Sequence, residues 1–376
     1  MADEQRNTTH YKLVTYESAR GPRAGAVFHD AVFDLAELTG KPSYATMLGV
    51  LDDWAKAEPL IEAAVANRGS GGTPGSPLAK VRLLAPVLYP PTIFCAGANY
   101  SDHMAEMARV FNLQPEPDPH KAGLTSWHFI KASRTVVQTD ARIPLPARTR
   151  MLDWEAELAA VIGRAAKNVP VERAIDYVAG YTVANDLSAR DFTVRPSVPE
   201  TSPFRYDWIS QKSFDGACPV GPWIVPAKQI PDPQRLGIKL WVNDVLKQDS
   251  HTSKMIFSLA EQIAQLSTRL TLYPGDLILT GTPAGVGLAR KEFLKSGDVV
   301  RVWVEQVGEL STRLTKVQLT SSRASRPNPQ RQRGVRNLGS EVAGPSYHGT
   351  RWGLSLLRAA CYGRIGKGVS RDKDPT

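Results

Sequence analysis

The segment Leu152-Asp153-Trp154-Glu155-Ala156-Glu157-Leu158 sets two carboxylates two positions apart, just ahead of an apolar run that ends at Gly163. Side chains of a strand alternate between its faces, so Glu155 and Glu157 point one way while Trp154, Ala156 and Leu158 point the other. Read alone, the pair also suits a solvated strand face. A further acid in like context, Asp186, follows the apolar run Val178 to Ala184 and precedes Arg190 and Asp191. Three carboxylates converging without a cation raise one another's pKa values and cost stability, which a divalent ion relieves. Oxygen ligands with no Cys or His beside them favour Mg2+, Mn2+ or Ca2+ over Zn2+.

A second group is Gly97-Ala98-Asn99-Tyr100-Ser101-Asp102-His103-Met104-Ala105-Glu106, where a strand breaks at Gly97 and a short helix sets His103 and Glu106 at i, i+3. A carboxylate beside an imidazole fixes its tautomer and raises its basicity, which suits a general base acting on water or on a carbon-bound proton. A surface histidine with an incidental neighbour fits the same spacing. Lys212 and Asp215 lie i, i+3 in a turn, as either a cation for an oxyanion or a surface ion pair. The stretch Leu277 to Gly287 runs from a strand into a Gly-rich turn whose backbone N–H groups can cradle a carboxylate; it is neither a Walker A nor a Rossmann fingerprint.

The elements that must carry these groups are mostly short strands. Residues 11 to 40 alternate apolar runs with turns, and Tyr44 to Ala66 repeats Leu48, Leu51, Trp54, Ile61 and Ala64 at helical steps. Arg68 to Pro77 is rich in Gly, Ser and Pro and reads as a linker closing a small N-terminal domain, 1–77. Strands are predicted at Thr92 to Ala96, Trp127 to Ile130, Leu158 to Gly163, Val178 to Ala184, Ile238 to Val242, Leu277 to Thr280 and Val299 to Val304, with a helix at Ser258 to Arg269. Together they make a second domain, 78–318, of α+β, mostly β class.

With 42% hydrophobic and 22% charged residues, the 376-residue chain is composed like a globular protein. No run approaches the roughly 18 apolar residues of a membrane span, and Met1 to Lys12 is polar, so neither membrane insertion nor secretion is expected. Cys95, Cys218 and Cys361, widely spaced, suit neither a disulfide framework nor a zinc site and point to the reducing cytoplasm. The net charge of +9 suggests nucleic acid, but from Leu319 onward 11 Lys and Arg face 3 acids, so the excess sits in a Ser-, Gly- and Pro-rich tail, 319–376, expected to be disordered. An RNA-binding tail is the rival reading from another function class, although stacking aromatics are few and no RGG-type repeat occurs.

Taken in order, Asn99-Tyr100-x-x-His103-x-x-Glu106, Asp153-Trp154-Glu155-Ala156-Glu157-Leu158, Asn185-Asp186-Leu187-Ser188-Ala189-Arg190-Asp191, Lys212-Ser213-Phe214-Asp215 and Thr280-Gly281-Thr282-Pro283-x-Gly285-Val286-Gly287 resemble the fumarylacetoacetate hydrolase family, over about Leu84 to Val317. The resemblance implies that family's β-sandwich-like roll, usually a homodimer, with Glu155, Glu157 and Asp186 as ligands of Mg2+ or a similar ion. It implies that His103 and Glu106 activate water from a lid segment and that Lys212 is the cation beside the reacting carbonyl. Tyr100, Lys131, Arg190, Gly281 and Thr282 would touch substrate. The activity implied is metal-dependent hydrolysis of a carbon–carbon bond in a 2,4-dioxo acid, an acylpyruvate or a fumarylpyruvate-like compound, in the catabolism of aromatic compounds. A hydratase, isomerase or decarboxylase working through an enolate of a 2-oxo acid is the alternative. Two positions depart from the family pattern: Thr193, where acylpyruvate hydrolases often carry Gln, and Ala132, where Pro usually follows the lysine.

Overall fold

The computed structural model describes residues 10–67, 75–114 and 117–316. The tail expected from 319 lies outside the described residues, as does the expected linker apart from 75–77. The strands longer than two residues are β1 (Lys12–Ser18), β2 (Gly21–Phe28), β3 (Ala31–Asp34), β4 (Ile93–Ala96), β5 (His128–Lys131), β6 (Ala141–Pro144), β7 (Ala156–Ile162), β8 (Val178–Asn185), β9 (Cys218–Pro226), β10 (Gly237–Val242), β11 (Val245–His251), β12 (Leu277–Leu279), β13 (Val299–Val304) and β14 (Gly308–Thr315). The helices that matter here are α1 (Trp54–Ala66), α2 (Ser101–Val110), α3 (Trp208–Lys212) and α4 (Leu259–Arg269).

The larger sheet runs β3-β2-β1-β9-β8-β7-β12-β4-β5, and the smaller runs β11-β10-β13-β14-β6. This is the mostly β architecture expected. The N-terminal strands continue the larger sheet, because β1 pairs antiparallel with β9 through Leu13 and Ile224.

β7 explains why its sequence is apolar without alternation. Ala156, Leu158, Ala160 and Ile162 pack with Ile238, Leu240, Val300 and Val302 of the smaller sheet. Ala159 and Val161 face the opposite way, into the cluster that holds Trp54 and Ile61 of α1. A strand covered on both faces has no solvated side to write in polar residues. The β10–β11 hairpin turns at Asn243 and Asp244, both at positive φ (49° and 62°), as a two-residue turn of the type that matches strand twist requires. α4 starts with a reciprocal cap: Ser258 accepts from the Glu261 amide, and the Glu261 carboxylate accepts from the Ser258 amide. Leu259, Ile263 and Leu266 are its buried face. The helical stretch expected over Tyr44 to Ala66 is instead three pieces, a 3-10 turn Pro42–Ala45, a short helix Met47–Leu51 and α1, separated at Thr46 and at Asp52 and Asp53.

Candidate active site

Register brings the three acids together. β7 and β8 pair antiparallel with Ala156 opposite Asn185, so the next residue outward on each strand meets its counterpart: the Asp186 amide donates to the Glu155 carbonyl at 2.9 Å. Glu157 lies one pleat further along the same face as Glu155. The carboxylates of Glu155, Glu157 and Asp186 each offer an oxygen within 4.8 Å of the others, and all three residues are buried.

Three cations reach this cluster, from β5, from α3 and from the 3-10 turn Arg190–Phe192. Lys131, the last residue of β5, donates to Asp186 Oδ1 at 2.5 Å and to the Leu187 carbonyl. Lys212, the last residue of α3, bridges Glu155 Oε2 (2.8 Å) and Asp186 Oδ2 (2.7 Å). Its partner is therefore not Asp215, and the surface ion pair left open by the sequence does not form: Lys212 is 3% exposed. Arg190 joins Glu155 Oε1 (2.5 Å) to Asp153 Oδ2 (2.9 Å). Asp153 also accepts from the amides of Trp154, Gly287 and Leu288.

The electrostatics separate the acids. Burial works to raise the Glu155 carboxyl, but Lys212 and Arg190 overcome it and hold the group well below the usual carboxylate range. Burial, reinforced by the negative charges of Asp186 and Glu155, pushes Glu157 well above that range. Among the described residues Glu157 receives one hydrogen bond, from the Gly281 amide at 2.6 Å, and no ion pair. Lys212 is held charged, since Asp186 and Glu155 outweigh the burial that opposes its charge. Four acids, Asp153 included, thus face three cations. The unmatched negative charge, an all-oxygen donor set and a carboxylate without a cation fit a divalent ion of the Mg2+, Mn2+ or Ca2+ type.

His103 and Glu106 stand beside this cluster on α2. His103 Nδ1 faces Glu106 Oε2 at 3.9 Å, too long for a hydrogen bond, and is buried without a hydrogen-bond partner among the described residues. Burial would raise the Glu106 carboxyl, but the imidazole and the Gly285 amide, which donates to Oε2 at 2.8 Å, bring it below its ordinary value. His103 is close enough to Glu155 to help lower that carboxyl as well. α2 is fastened by Asp102, which accepts from Ser250 Oγ (2.6 Å), Lys254 Nζ (3.2 Å) and the Ala284 amide (3.3 Å).

The Gly-rich turn does cradle carboxylates, and they are the chain's own. Amides of Gly281, Ala284, Gly285, Gly287 and Leu288 donate to Glu157, Asp102, Glu106 and Asp153. A Cβ on Gly285, at φ +102°, would lie 2.2 Å from the Lys247 carbonyl oxygen.

Of the expected substrate contacts, Lys131 and Arg190 sit in the ion-pair network, and the Gly281 amide is taken by Glu157. The Thr282 hydroxyl accepts from Gln248, whose carbonyl oxygen accepts from the Ala156 amide. Tyr100 is fully buried, and its hydroxyl has no hydrogen-bond partner among the described residues. Asp153, Asn99 and Gln248 were not singled out from sequence as site residues. Asn99 is the hub of the Gly97 break, donating to the Phe257 and Thr280 carbonyls and accepting from the Phe257 amide. In the segment Val194 to Ser210, Trp208 stacks on Phe129 at 5.5 Å, and Lys212 Nζ lies 4.9 Å over the Phe129 ring.

The model of the fumarylacetoacetate (FAA) hydrolase C-terminal domain matches residues 92–315, the span that holds every one of these groups. The chain belongs to the fumarylacetoacetate hydrolase family. Its similarity to family enzymes is of two kinds. The mitochondrial oxaloacetate tautomerase fahd2 of Xenopus laevis is 42% identical over 233 residues, 61% of this chain and 67% of that protein. Maleylpyruvate hydrolase from Sphingobium, solved with manganese(II) and pyruvate, is 31% identical with a TM-score of 0.62 over 82% of this chain and 100% of that one. The 5-carboxymethyl-2-hydroxymuconate delta-isomerase of Mycobacterium smegmatis is 29% identical, TM-score 0.59, over 81% and 99%. Fumarylacetoacetate hydrolase relatives thus include tautomerases, hydrolases and isomerases.

Proposed function

We propose that this protein enolises a 2-oxo acid by taking a proton from the carbon beside its 2-oxo carbonyl. The observation that carries the reading is the imidazole of His103, turned toward Glu106 at the edge of a buried carboxylate cluster. A divalent cation held by Glu155, Glu157 and Asp186 would polarise a carbonyl oxygen and so acidify the neighbouring carbon. With Nδ1 facing Glu106, His103 Nε2 is the atom that takes the proton, and the Glu106 carboxylate favours the imidazolium that results. The 3.9 Å gap is one that closes to a hydrogen bond when substrate fills the site. Lys212, held charged by Glu155 and Asp186, stabilises negative charge on the enolate oxygen. Delivery of that proton from the imidazole to the enolate oxygen gives the enol, and the reverse transfers give back the ketone.

The Xenopus relative, described as an oxaloacetate tautomerase, supports this reading. A second reading, hydrolysis of a carbon–carbon bond in an acylpyruvate, is favoured by the Sphingobium maleylpyruvate hydrolase with its bound manganese(II) and pyruvate. His103 would then activate water against the distal carbonyl, and the departing enolate would occupy the place of the tautomerase enolate.

Incubating the purified protein and Mg2+ or Mn2+ with oxaloacetate and with acylpyruvates, following enol absorbance and identifying products, separates the two. Faster keto–enol exchange of oxaloacetate with its carbon skeleton intact, lost in His103→Ala, is expected. Cleavage of acylpyruvates without oxaloacetate exchange would replace the reading with hydrolysis. Acceleration of neither reaction would refute both.

A further inference from the structure

Trp154 points away from Glu155 and Glu157, and the face to which it points borders a surface groove of about 460 Å³ between the β10–β11 hairpin and the loop 291–298. Four cations line it: Arg150, Lys247, Lys291 and Lys295. Two acids accompany them, and both are engaged. Glu292 pairs with Lys247. Asp298 accepts from the Asn243 side chain at 2.8 Å and from the Lys295 amide at 2.7 Å. Arg150, Lys291 and Lys295 are exposed and make no ion pair among the described residues. Apart from Asn243 the rest of the wall is apolar, with Val245 56% exposed beside Val242, Phe293, Leu294 and Trp154.

Three unpaired cations around an apolar floor make an electrostatic trap with a place for hydrocarbon. Such a concavity selects a small anion with an apolar body over a bare inorganic ion, because charge sets the encounter and apolar contact holds the body. We propose that this groove is a second ligand site, distinct from the carboxylate cluster, for an organic dianion: two carboxylates on a short hydrocarbon spacer, or a phosphate monoester with an apolar group. Its position gives the occupant a route to the reaction. Trp154 Nε1 donates to the Gly285 carbonyl at 3.1 Å, and the amide of that same residue holds Glu106.

The probes are adipate and phenyl phosphate, titrated calorimetrically into the full chain, freed of metal, at low and physiological salt. One-to-one saturable binding of at least one probe is expected, weakening with salt. The double variant Lys291→Glu/Lys295→Glu should weaken it about tenfold, and Arg150→Ala about two- to five-fold. Arg150→Ala changes an exposed side chain and keeps the test readable if the left-handed position of Lys291 (φ 56°) makes the double variant fold poorly. Turnover without added anion should stay at the wild-type rate in Arg150→Ala. Binding of adipate alone identifies the dicarboxylate source, and binding of phenyl phosphate alone the phosphate ester. No saturable binding up to about 10 mM, or wild-type affinity in both Arg150→Ala and the double variant, would overturn the proposal.

Discussion

Replacing Glu157 by glutamine should make the metal-free protein more stable and the metal-loaded protein less stable than wild type. Glu157 is 1% exposed, shares a 4.8 Å cluster with Glu155 and Asp186, and has no cation bonded to it among the described residues. With its carboxyl pushed well above the usual range, Glu157 of the metal-free protein must either take up a proton or stay an unpaired buried ion, and either costs stability, up to about 3–5 kcal/mol for the ion. Lys212 nearby recovers part of that cost, so about 1–3 kcal/mol is the reasonable gain from removing the charge. Glutamine keeps the volume and an acceptor for the Gly281 amide, so the substitution opens no cavity and strands no donor. At about 2–4 °C per kcal/mol for a protein of this size, the metal-free variant should melt roughly 2–12 °C above wild type. With Mn2+ at a hundred times its dissociation constant, wild type gains about 2.7 kcal/mol by mass action, and a variant that has lost a ligand gains far less. The order of the two melting temperatures should therefore invert on adding metal. Scanning calorimetry of chelator-treated and Mn2+-saturated samples reads both numbers. A metal-free variant that melts at or below wild type would refute the charge argument, and an equal metal-induced shift in both proteins would remove Glu157 from the ligand set.

His103→Ala should lower kcat by roughly 10²–10⁴ with metal binding unchanged; Glu106→Gln should cost less, and the double variant should fall far short of the sum, as steady-state kinetics at saturating metal would show. Gly285→Ala, which drives a Cβ against the Lys247 carbonyl, should destabilise the protein by about 1–3 kcal/mol in urea melts and slow turnover by moving the amide that holds Glu106. Burial lowers His128 to about 4 from its ordinary 6.5. The unfolded chain takes up that proton first, so stability is full above about pH 6.5 and falls by about 3 kcal/mol as pH drops toward 4. His128→Gln should flatten this acid limb, and urea denaturation at pH 7.5 and 4.5 that shows the same drop in both proteins would contradict the assignment.

What could be read from the sequence was whatever obeyed a local rule. β7, β8, β10 and β13 are short apolar runs and were legible as strands, and Ser258 with Glu261 caps the helix that was expected there. The central strand β9 was not, because Cys218 to Pro226 contains Pro219, Pro222 and Pro226, residues that cannot donate to a ladder and usually mark an edge or a turn. The carboxylate cluster was legible in its own motifs, since period two and an acid after an apolar run are local. Its cations were not: Lys131 meets Asp186 across 55 positions of sequence and Lys212 across 26, and only the sheet order says that they meet. Asp153 lies within a legible motif, but its task is hidden there, because an acid that binds backbone amides looks in sequence like any other.

The turn 281–288 supplies amides to acids that arrive from two separate stretches of chain: Asp102 and Glu106 on α2, and Asp153 and Glu157 around the start of β7. It therefore acts as a common datum from which the base and the ligand cluster are both measured. When the turn drifts in thermal motion, the two move in concert and their separation is conserved, whereas each would wander independently if fastened to its own support. The same wiring ties their fates. If the turn opens, metal affinity and the setting of His103 should be lost in a single event, and the amides of Gly281, Gly285 and Gly287 should exchange with deuterium at one shared rate.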